Sequence, residues 1–341
     1  MKLAITGLVR SGKTTIFEVL TQNFTETTNR KEDRIGTIRV PDKRVDVLSR
    51  MYMPKKTVYA QVEYFLRGGV QENVKEQNIW GRIKECDALI HVVRNHGVYG
   101  FEAPEPYRDF LEFDQELIFN DFVVVEKRLE RLANDEKRGN KVDAKELALL
   151  KECLQSLENQ VPLRRNKELA DAHLLKGYAF LSAKPVMVLF NNGDDDDKLP
   201  DIKKLIETEN CMVIRGKLEH ELAQMSDEDA AAFLEEFNIS ASAMDRAVEM
   251  SYELLGLISF FTVGEDEVRA WTVKKDVKAP DAAGAIHTDF KKGFIRAEVL
   301  AYNDLMELGT YQNAKKKGLV RLEGKEYQVK NGDIINFHFN V

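Results

Sequence analysis

The sequence predicts an α/β nucleotide-binding fold, interrupted by a helical hairpin and followed by a small mixed β-sheet. Three observations carry that expectation. A short strand, a glycine-bounded loop and a helix follow one another within the first twenty residues. Short apolar runs recur between helical patterns, as in a mostly parallel sheet covered on both faces. A long stretch, about residues 121–181, has helical spacing and no strand signal.

The first strand is expected over residues 2–6, around the apolar run Leu3-Ala4-Ile5. Gly7-Leu8-Val9-Arg10-Ser11-Gly12-Lys13-Thr14 then fits G-x-x-x-x-G-K-[ST], the phosphate-binding loop. Polyphosphate needs backbone N–H groups curled around its oxygens, a flexible cation and a hydroxyl for Mg²⁺. Gly7 and Gly12 permit the curl. The N–H concavity and the start of the helix favour an anion. Lys13 has the reach for the β/γ-phosphates, and Thr14 Oγ1 is the expected Mg²⁺ ligand. The motif argues nucleotide binding; alone it does not argue hydrolysis. Further strands are expected over residues 36–40, 58–65, 88–93, 185–190 and 211–214.

Within the strand-poor stretch, Phe122 opens a charged amphipathic helix, residues 134–140 form a polar tip with Gly139, and Leu147, Leu150, Leu154 and Leu157 return at helical spacing. That is an αα-hairpin of coiled-coil type, inserted into the first domain because the strand at 185–190 resumes the sheet. The run Asp194–Asp197 reads as a solvated turn, since four consecutive carboxylates do not converge as cation ligands do. From about Phe260 onward, strands are expected at 269–273, 293–299, 320–324 and 327–329, then 334–339, with a short helix over 282–290. Lys330-Asn331-Gly332-Asp333 reads as a hairpin turn with positive φ at the Asn-Gly pair.

Length and composition bound the rest. The 341 residues are enough for two or three domains with substantial cores. A net charge of −7 gives no global push toward nucleic acid or anionic membranes. Cys86, Cys153 and Cys211 lack metal-site spacing, and a sparse odd set suits a reducing compartment. The opening residues do not follow the pattern of a secretory leader, and no apolar run approaches membrane-spanning length. The expected location is the cytoplasm, and the expected state a monomer.

Several long strings resemble the YchF/Obg-like ATPase family: residues 254–262, 267–273, 279–290 and 293–299, Leu322-Glu323-Gly324-Lys325, and the ending Phe337-His338-Phe339-Asn340-Val341. The resemblance extends to the phosphate loop, to Val40-Pro41-Asp42 with Arg44, to residues 87–94 and to 125–132, and so covers nearly the whole chain. It implies a Ras-like P-loop domain (residues 1–120 and 182–259), an inserted helical coiled-coil hairpin (121–181) and a C-terminal TGS domain of β-grasp fold (260–341). It also implies binding and slow hydrolysis of ATP or GTP with Mg²⁺, and an association with ribosomes or RNA through the hairpin and the TGS domain. On it Gly7, Gly12, Lys13 and Thr14 carry over as phosphate and Mg²⁺ residues; the full candidate phosphate-binding set is Gly7, Arg10, Ser11, Gly12, Lys13, Thr14, Thr15 and Gly69.

The chain departs from the family pattern where switches and base are read. The family's Asp-Ile-Ala-Gly-Leu is replaced by Leu66-Arg67-Gly68-Gly69-Val70, so Leu66 stands at the Mg²⁺-associated Asp while Gly69 keeps the glycine. The Thr that a switch brings to Mg²⁺ falls on Arg30, with Thr25, Thr27 and Thr28 nearby. Arg10 replaces a family Asn, either adding charge near the γ-phosphate or standing in solvent. The base-reading Asn-x-x-Glu becomes Asn191-Asn192-Gly193-Asp194, with Asn191 and Asp194 as candidate base ligands; base identity stays open between ATP and GTP. Phosphoryl transfer rests on metal and dipole placement, so these losses predict weak or absent hydrolysis. The expected function is a regulatory purine-nucleotide-binding protein near ribosomes. The alternatives are a slow Mg²⁺-dependent ATPase or GTPase and a nucleotide-free scaffold. His91 and His287, without ligand-spaced partners, read as structural.

Overall fold

A computed structural model describes residues 1–24, 32–68, 80–100, 102–236 and 243–340. Gly69 and Thr25, Thr27, Thr28 and Arg30 therefore lie outside the described residues. The chain divides into two compact units, one of Met1–Gly36 with Glu63–Ala247, the other of Thr37–Val62 with Val248–Val341. The fold class is the one expected: a P-loop α/β domain with an inserted helical hairpin and a C-terminal β-grasp.

The first strands are β1 (Lys2–Thr6), β2 (Arg34–Arg39), β3 (Lys56–Val58), β4 (Gln61–Leu66), β5 (Ala88–Asn95), β6 (Val186–Asn192) and β7 (Asn210–Ile214). Six of them form one sheet in the order β2-β4-β1-β5-β6-β7. β1 runs parallel to both β4 and β5, and β6 parallel to both β5 and β7. All seven residues of β6 are buried, and its first five, Val186–Phe190, read as a continuous apolar run rather than an alternation. A sheet of this kind exposes ligands at the carboxyl ends of its strands. β1 ends in the phosphate loop, and α1 (Lys13–Thr21) follows it directly. Helix α2 (Lys43–Tyr52) is capped by Asp42, whose carboxylate accepts from Arg44 N at 3.0 Å.

A single strand was expected over 58–65, and it is broken at Tyr59 and Ala60. β3 instead pairs parallel with β9 (Glu267–Lys274) of the second sheet, Lys56 opposite Glu267, while β4 pairs with β1. The short helix α3 (Gly81–Lys84) precedes β5.

The helix that leads into the expected hairpin also begins earlier than its sequence pattern suggests. Helix α4 runs from Pro106 to Lys137, 32 residues, with proline in its first turn, where no intrahelical donor is needed. Its first half buries Phe110, Phe113 and Leu117 against Leu89, Val93, Val188 and Phe190 of the sheet. Its second half buries Val125 and Leu132 against Leu150, Cys153 and Leu157 of helix α5 (Ala144–Glu158). Asp143 caps α5 through Lys145 N, and Arg128 forks onto Glu146 with two bonds of 3.0 Å. Asp121, at 0% exposure, accepts from Leu181 N (2.9 Å) and Ser182 N (2.7 Å), tying the returning chain to α4.

The second sheet adds β8 (Leu257–Val263), β10 (Phe294–Ala301), β11 (Arg321–Glu323) and β12 (Asp333–Phe339), in the order β11-β10-β12-β8-β9-β3. β8 is antiparallel to β9 and parallel to β12, and β10 is antiparallel to β12 and β11. The helix Ala279–Ile286 packs Ala279, Ala282 and Ala283 onto Phe260, Val299 and Phe337. The hairpin expected at Asn331-Gly332 does not form: 327–329 contributes only a bridge from Gln328 to Lys278. Gly332 takes φ 93°, whereas Asn331 is not in the left-handed region. Its side-chain oxygen instead accepts from Arg44 Nη2 at 3.1 Å.

Candidate phosphate-binding site

The loop after β1 already has the shape its motif demands. Gly7 stands at φ 142° and Gly12 at φ 96°. A Cβ on Gly7 would lie 2.3 Å from the Val92 carbonyl oxygen, and one on Gly12 would lie 2.2 Å from Asn191 Nδ2. No side chain fits at either place, so both glycines are required twice, by backbone conformation and by close approach. Arg10, at φ 64°, occupies the left-handed region without being glycine, a strain of order 1 kcal/mol stored at the crest of the loop. Its side chain is exposed, as is that of Val9.

Lys13 folds back over the loop and donates from Nζ to Gly7 O at 2.8 Å and Leu8 O at 2.5 Å. Those two carbonyls hold the ammonium where an incoming phosphate oxygen can take it over. Burial lowers the Lys13 pKa from its ordinary value, which raises the benefit of an anionic partner. Thr14 and Thr15 are half-buried in the first turn of α1. Ser11 is buried, with an Oγ that has no hydrogen-bond partner among the described residues.

Asn191 is placed at the end of β6, buried, and its amide is engaged at both ends. Nδ2 donates to Ser11 O at 3.0 Å, and Oδ1 accepts from Gly216 N at 3.0 Å. It is thus a strut that ties the phosphate loop to the helix Gly216–Leu222. One N–H and one lone pair are left over. Asp194 is more exposed, with Oδ2 3.3 Å from Lys217 Nζ and its carbonyl accepting from Arg215 Nη1 at 3.4 Å. Farther along the acidic run, Asp196 Oδ1 accepts from Lys198 N, a turn contact.

A cavity of about 590 Å³ opens on the phosphate loop. Gly7–Arg10 with Lys13 and Thr14 form one wall. Glu32 and Arg34 form a second, and Leu66, Arg67 and Gly68 a third. The floor is apolar, from Ile5, Trp80, Ile83 and Phe113. The structure therefore brings Gly7, Arg10, Lys13 and Thr14 together with Leu66, and leaves Ser11, Gly12, Thr15, Asn191 and Asp194 off the walls. Two anchors position the second and third walls. Arg34 pairs with buried Glu18 of α1 at 3.1 Å, and Asp33 accepts from Gly68 N at 2.9 Å while pairing with Arg82 at 3.0 Å. Sequence reading missed Arg34, Arg67, Trp80 and Phe113; only Arg67, adjacent to the altered Leu66, carried a local signal.

Beneath this floor His91 is 0% exposed and stacks on Phe113, ring centroids 4.0 Å apart. Neither ring nitrogen has a hydrogen-bond partner among the described residues. Burial first, then the charges of Lys13 and Arg164, pushes its pKa down to about 3. It is a neutral core residue, as expected. The three cysteine thiols are pushed up by burial, Cys86 to about 11 and Cys153 and Cys211 to about 12, so they stay protonated.

Residues 257–340 match the family model YchF-GTPase_C, described as a protein of unknown function (DUF933). The chain is 36% identical to the ribosome-binding ATPase YchF of Bacillus subtilis (strain 168), over 99% of this chain and 98% of that protein. It is likewise 36% identical to the protein of the same name from Haemophilus ducreyi, over 100% and 99%. Among solved structures it is similar to the YchF GTPase of Schizosaccharomyces pombe, with a TM-score of 0.84, 29% identity and coverage of 99% of this chain and 97% of that one.

Proposed function

The chain belongs to the YchF family, and from that premise we propose that it is a purine-nucleotide-binding protein that works at ribosomes and hydrolyses its nucleotide weakly or not at all. The observation that carries the nucleotide reading is the loop after β1, with Gly7 and Gly12 at positive φ and Lys13 folded back onto two of its carbonyls. On binding, Lys13 exchanges Gly7 O and Leu8 O for β/γ-phosphate oxygens, a charge-assisted exchange. The start of α1 adds its N-terminal field. Asn191 keeps the loop in register with Gly216, and Asp194 is the acceptor available to base N–H groups. Guanine offers two such donors, but Lys217 competes for the carboxylate. The site is therefore read as a purine site without a fixed base.

The weak-hydrolysis reading rests on the donor set. Mg²⁺, if bound, would supply positive charge that offsets the charge developing on the transferred phosphoryl group. Thr14 keeps a hydroxyl suited to its shell. The second group normally comes from a carboxylate at the end of a neighbouring strand. Here that strand is β4, paired to β1 with Leu66 opposite Ile5, and Leu66 is buried and apolar. The described residues do not make a complete metal site.

Ribosome association is carried over from the names of the bacterial relatives, and the cytoplasm and a monomeric state complete the reading. No helix among the described residues is long and apolar enough to cross a membrane. Calorimetric titration with ATP, GTP and ADP, paired with a turnover assay, tests the proposal. Binding is expected, weakened about tenfold or more in Lys13→Ala, with negligible turnover in both proteins. Robust Mg²⁺-dependent turnover that vanishes in Lys13→Ala would favour the slow hydrolase instead. No heat with saturating triphosphate would leave the scaffold reading.

A further inference from the structure

The walls of the cavity at the loop carry more positive than negative side chains. Arg10, Lys13, Arg34 and Arg67 line it, against the carboxylates Glu32 and Glu116. A Mg²⁺–nucleotide complex wants the reverse on the wall beside the metal: a carboxylate that orients the metal's waters and attracts the cation. At that wall the chain has Leu66 followed at once by Arg67. Relative to a carboxylate, the change is one negative charge removed and one positive charge added. An arginine there attracts a triphosphate directly and repels a divalent cation brought with it.

The neighbouring groups do not restore the metal site. Asp33 is spent on Gly68 N and Arg82. Thr6 Oγ1 donates to Ile90 O at 3.1 Å, inside the sheet. Among the described residues no group of three or more His, Cys, Asp or Glu side chains is arranged to hold a metal ion. Arg67 is half-buried, lines the cavity and has no carboxylate partner among the described residues. Arg34 is anchored by Glu18 and contributes less. Guanidinium suits this role, because its planar fork grips phosphate oxygens bidentately and stays charged at any working pH.

We propose that this site takes its nucleoside triphosphate without a divalent cation, Arg67 and Arg10 supplying beside Lys13 the positive charge that Mg²⁺ supplies in related loops. The inference rests on the nucleotide-binding reading above and adds the form in which the ligand enters: the free polyphosphate rather than its metal complex.

The test is a titration of the full-length protein with ATP and with GTP, once in millimolar Mg²⁺ and once in excess EDTA. The affinity in EDTA is expected to equal or exceed that in Mg²⁺. Arg67→Gln is expected to weaken binding in EDTA by about tenfold, the scale of one lost charge-assisted contact. Arg10→Gln, a change on the exposed crest that leaves the core untouched, is expected to weaken it by a smaller factor in the same direction. Binding in Mg²⁺ that falls about tenfold or more in EDTA would overturn the inference and leave the nucleotide reading standing. So would two folded variants that bind in EDTA as the parent does. Absence of binding in both media would remove the nucleotide reading and this inference with it.

Discussion

At the scale of single residues, the site is a set of positions where local preference yields to function. Gly12 was legible in the sequence because a glycine followed by Lys-Thr has one dominant reading, and the structure adds why no other residue fits: Asn191 Nδ2 occupies the space. Asn191 was also legible, though as a base ligand, and its bonds to Ser11 O and Gly216 N make it first a strut. Nothing in the pattern of β6 distinguishes those two uses. His91 gives a prediction about pH. Its folded pKa lies near 3, below the 6.5 of the unfolded chain, so on acidification the unfolded state takes the proton first. Its contribution is therefore full above pH 6.5 and is lost as pH falls toward 3. The slope is ~1.4 kcal/mol per pH unit within that window. Urea unfolding at pH 7 and pH 5 should show the parent losing about 2 kcal/mol more than His91→Leu between the two. Equal losses would mean that the buried ring is not held neutral.

At the scale of elements, α4 explains both what the sequence revealed and what it hid. Its second half has a clean apolar seam facing α5, and the pattern from Phe122 onward was readable. Its first half was not, because Asp109, Glu112, Asp114 and Glu116 are interleaved with Phe110, Phe113 and Leu117. One of those acids, Asp114, is itself buried. Arg164 Nη1 meets it at 2.7 Å, and Arg164 Nη2 meets Glu209 at 2.6 Å. All three side chains are nearly inaccessible, and Arg165 adds a bond of 2.7 Å to Glu209. The cluster holds the turn Leu163–Arg165 between α4 and the start of β7. A buried pair need not stabilise relative to apolar packing, but removing one member strands the others. Arg164→Met should cost about 3–5 kcal/mol in denaturant unfolding, because Asp114 then has no cation. Adding Asp114→Leu should recover most of it. A single variant as stable as the parent would show that water, not Arg164, satisfies Asp114. The break between β3 and β4 has a similar lesson: the apolar content of 58–65 was legible, but pairing partners more than two hundred residues away, Lys56 with Glu267, leave no local trace.

At the scale of the whole molecule, the chain holds two units with separate cores, and the candidate site belongs to one of them. Every described wall of the cavity, from Ile5 to Glu116, falls within Met1–Gly36 and Glu63–Ala247. The family match at 257–340 falls in the other unit. A ligand that binds only the folded first unit adds RT ln(1 + [L]/Kd) to its stability, ~2.7 kcal/mol at a hundredfold excess over Kd. It adds nothing to a unit whose folding does not change its affinity. Hydrogen exchange with and without ATP should therefore separate the two. Protection should rise in β1, in α1 and at the Asn191–Gly216 strut, where backbone amides either face the phosphate or brace those that do. Amides of β8, β9, β10 and β12 should exchange at unchanged rates. The loop's own conformation predicts the pattern in detail: Gly7 and Gly12 already stand at the positive φ that the motif calls for, so the gain at the loop should come from lost opening rather than from new secondary structure. Lys13→Ala should abolish the gain in the first unit and leave the second as it was. Equal protection of both units by ATP would mean that their stabilities are linked, and that the nucleotide site reports to the C-terminal sheet.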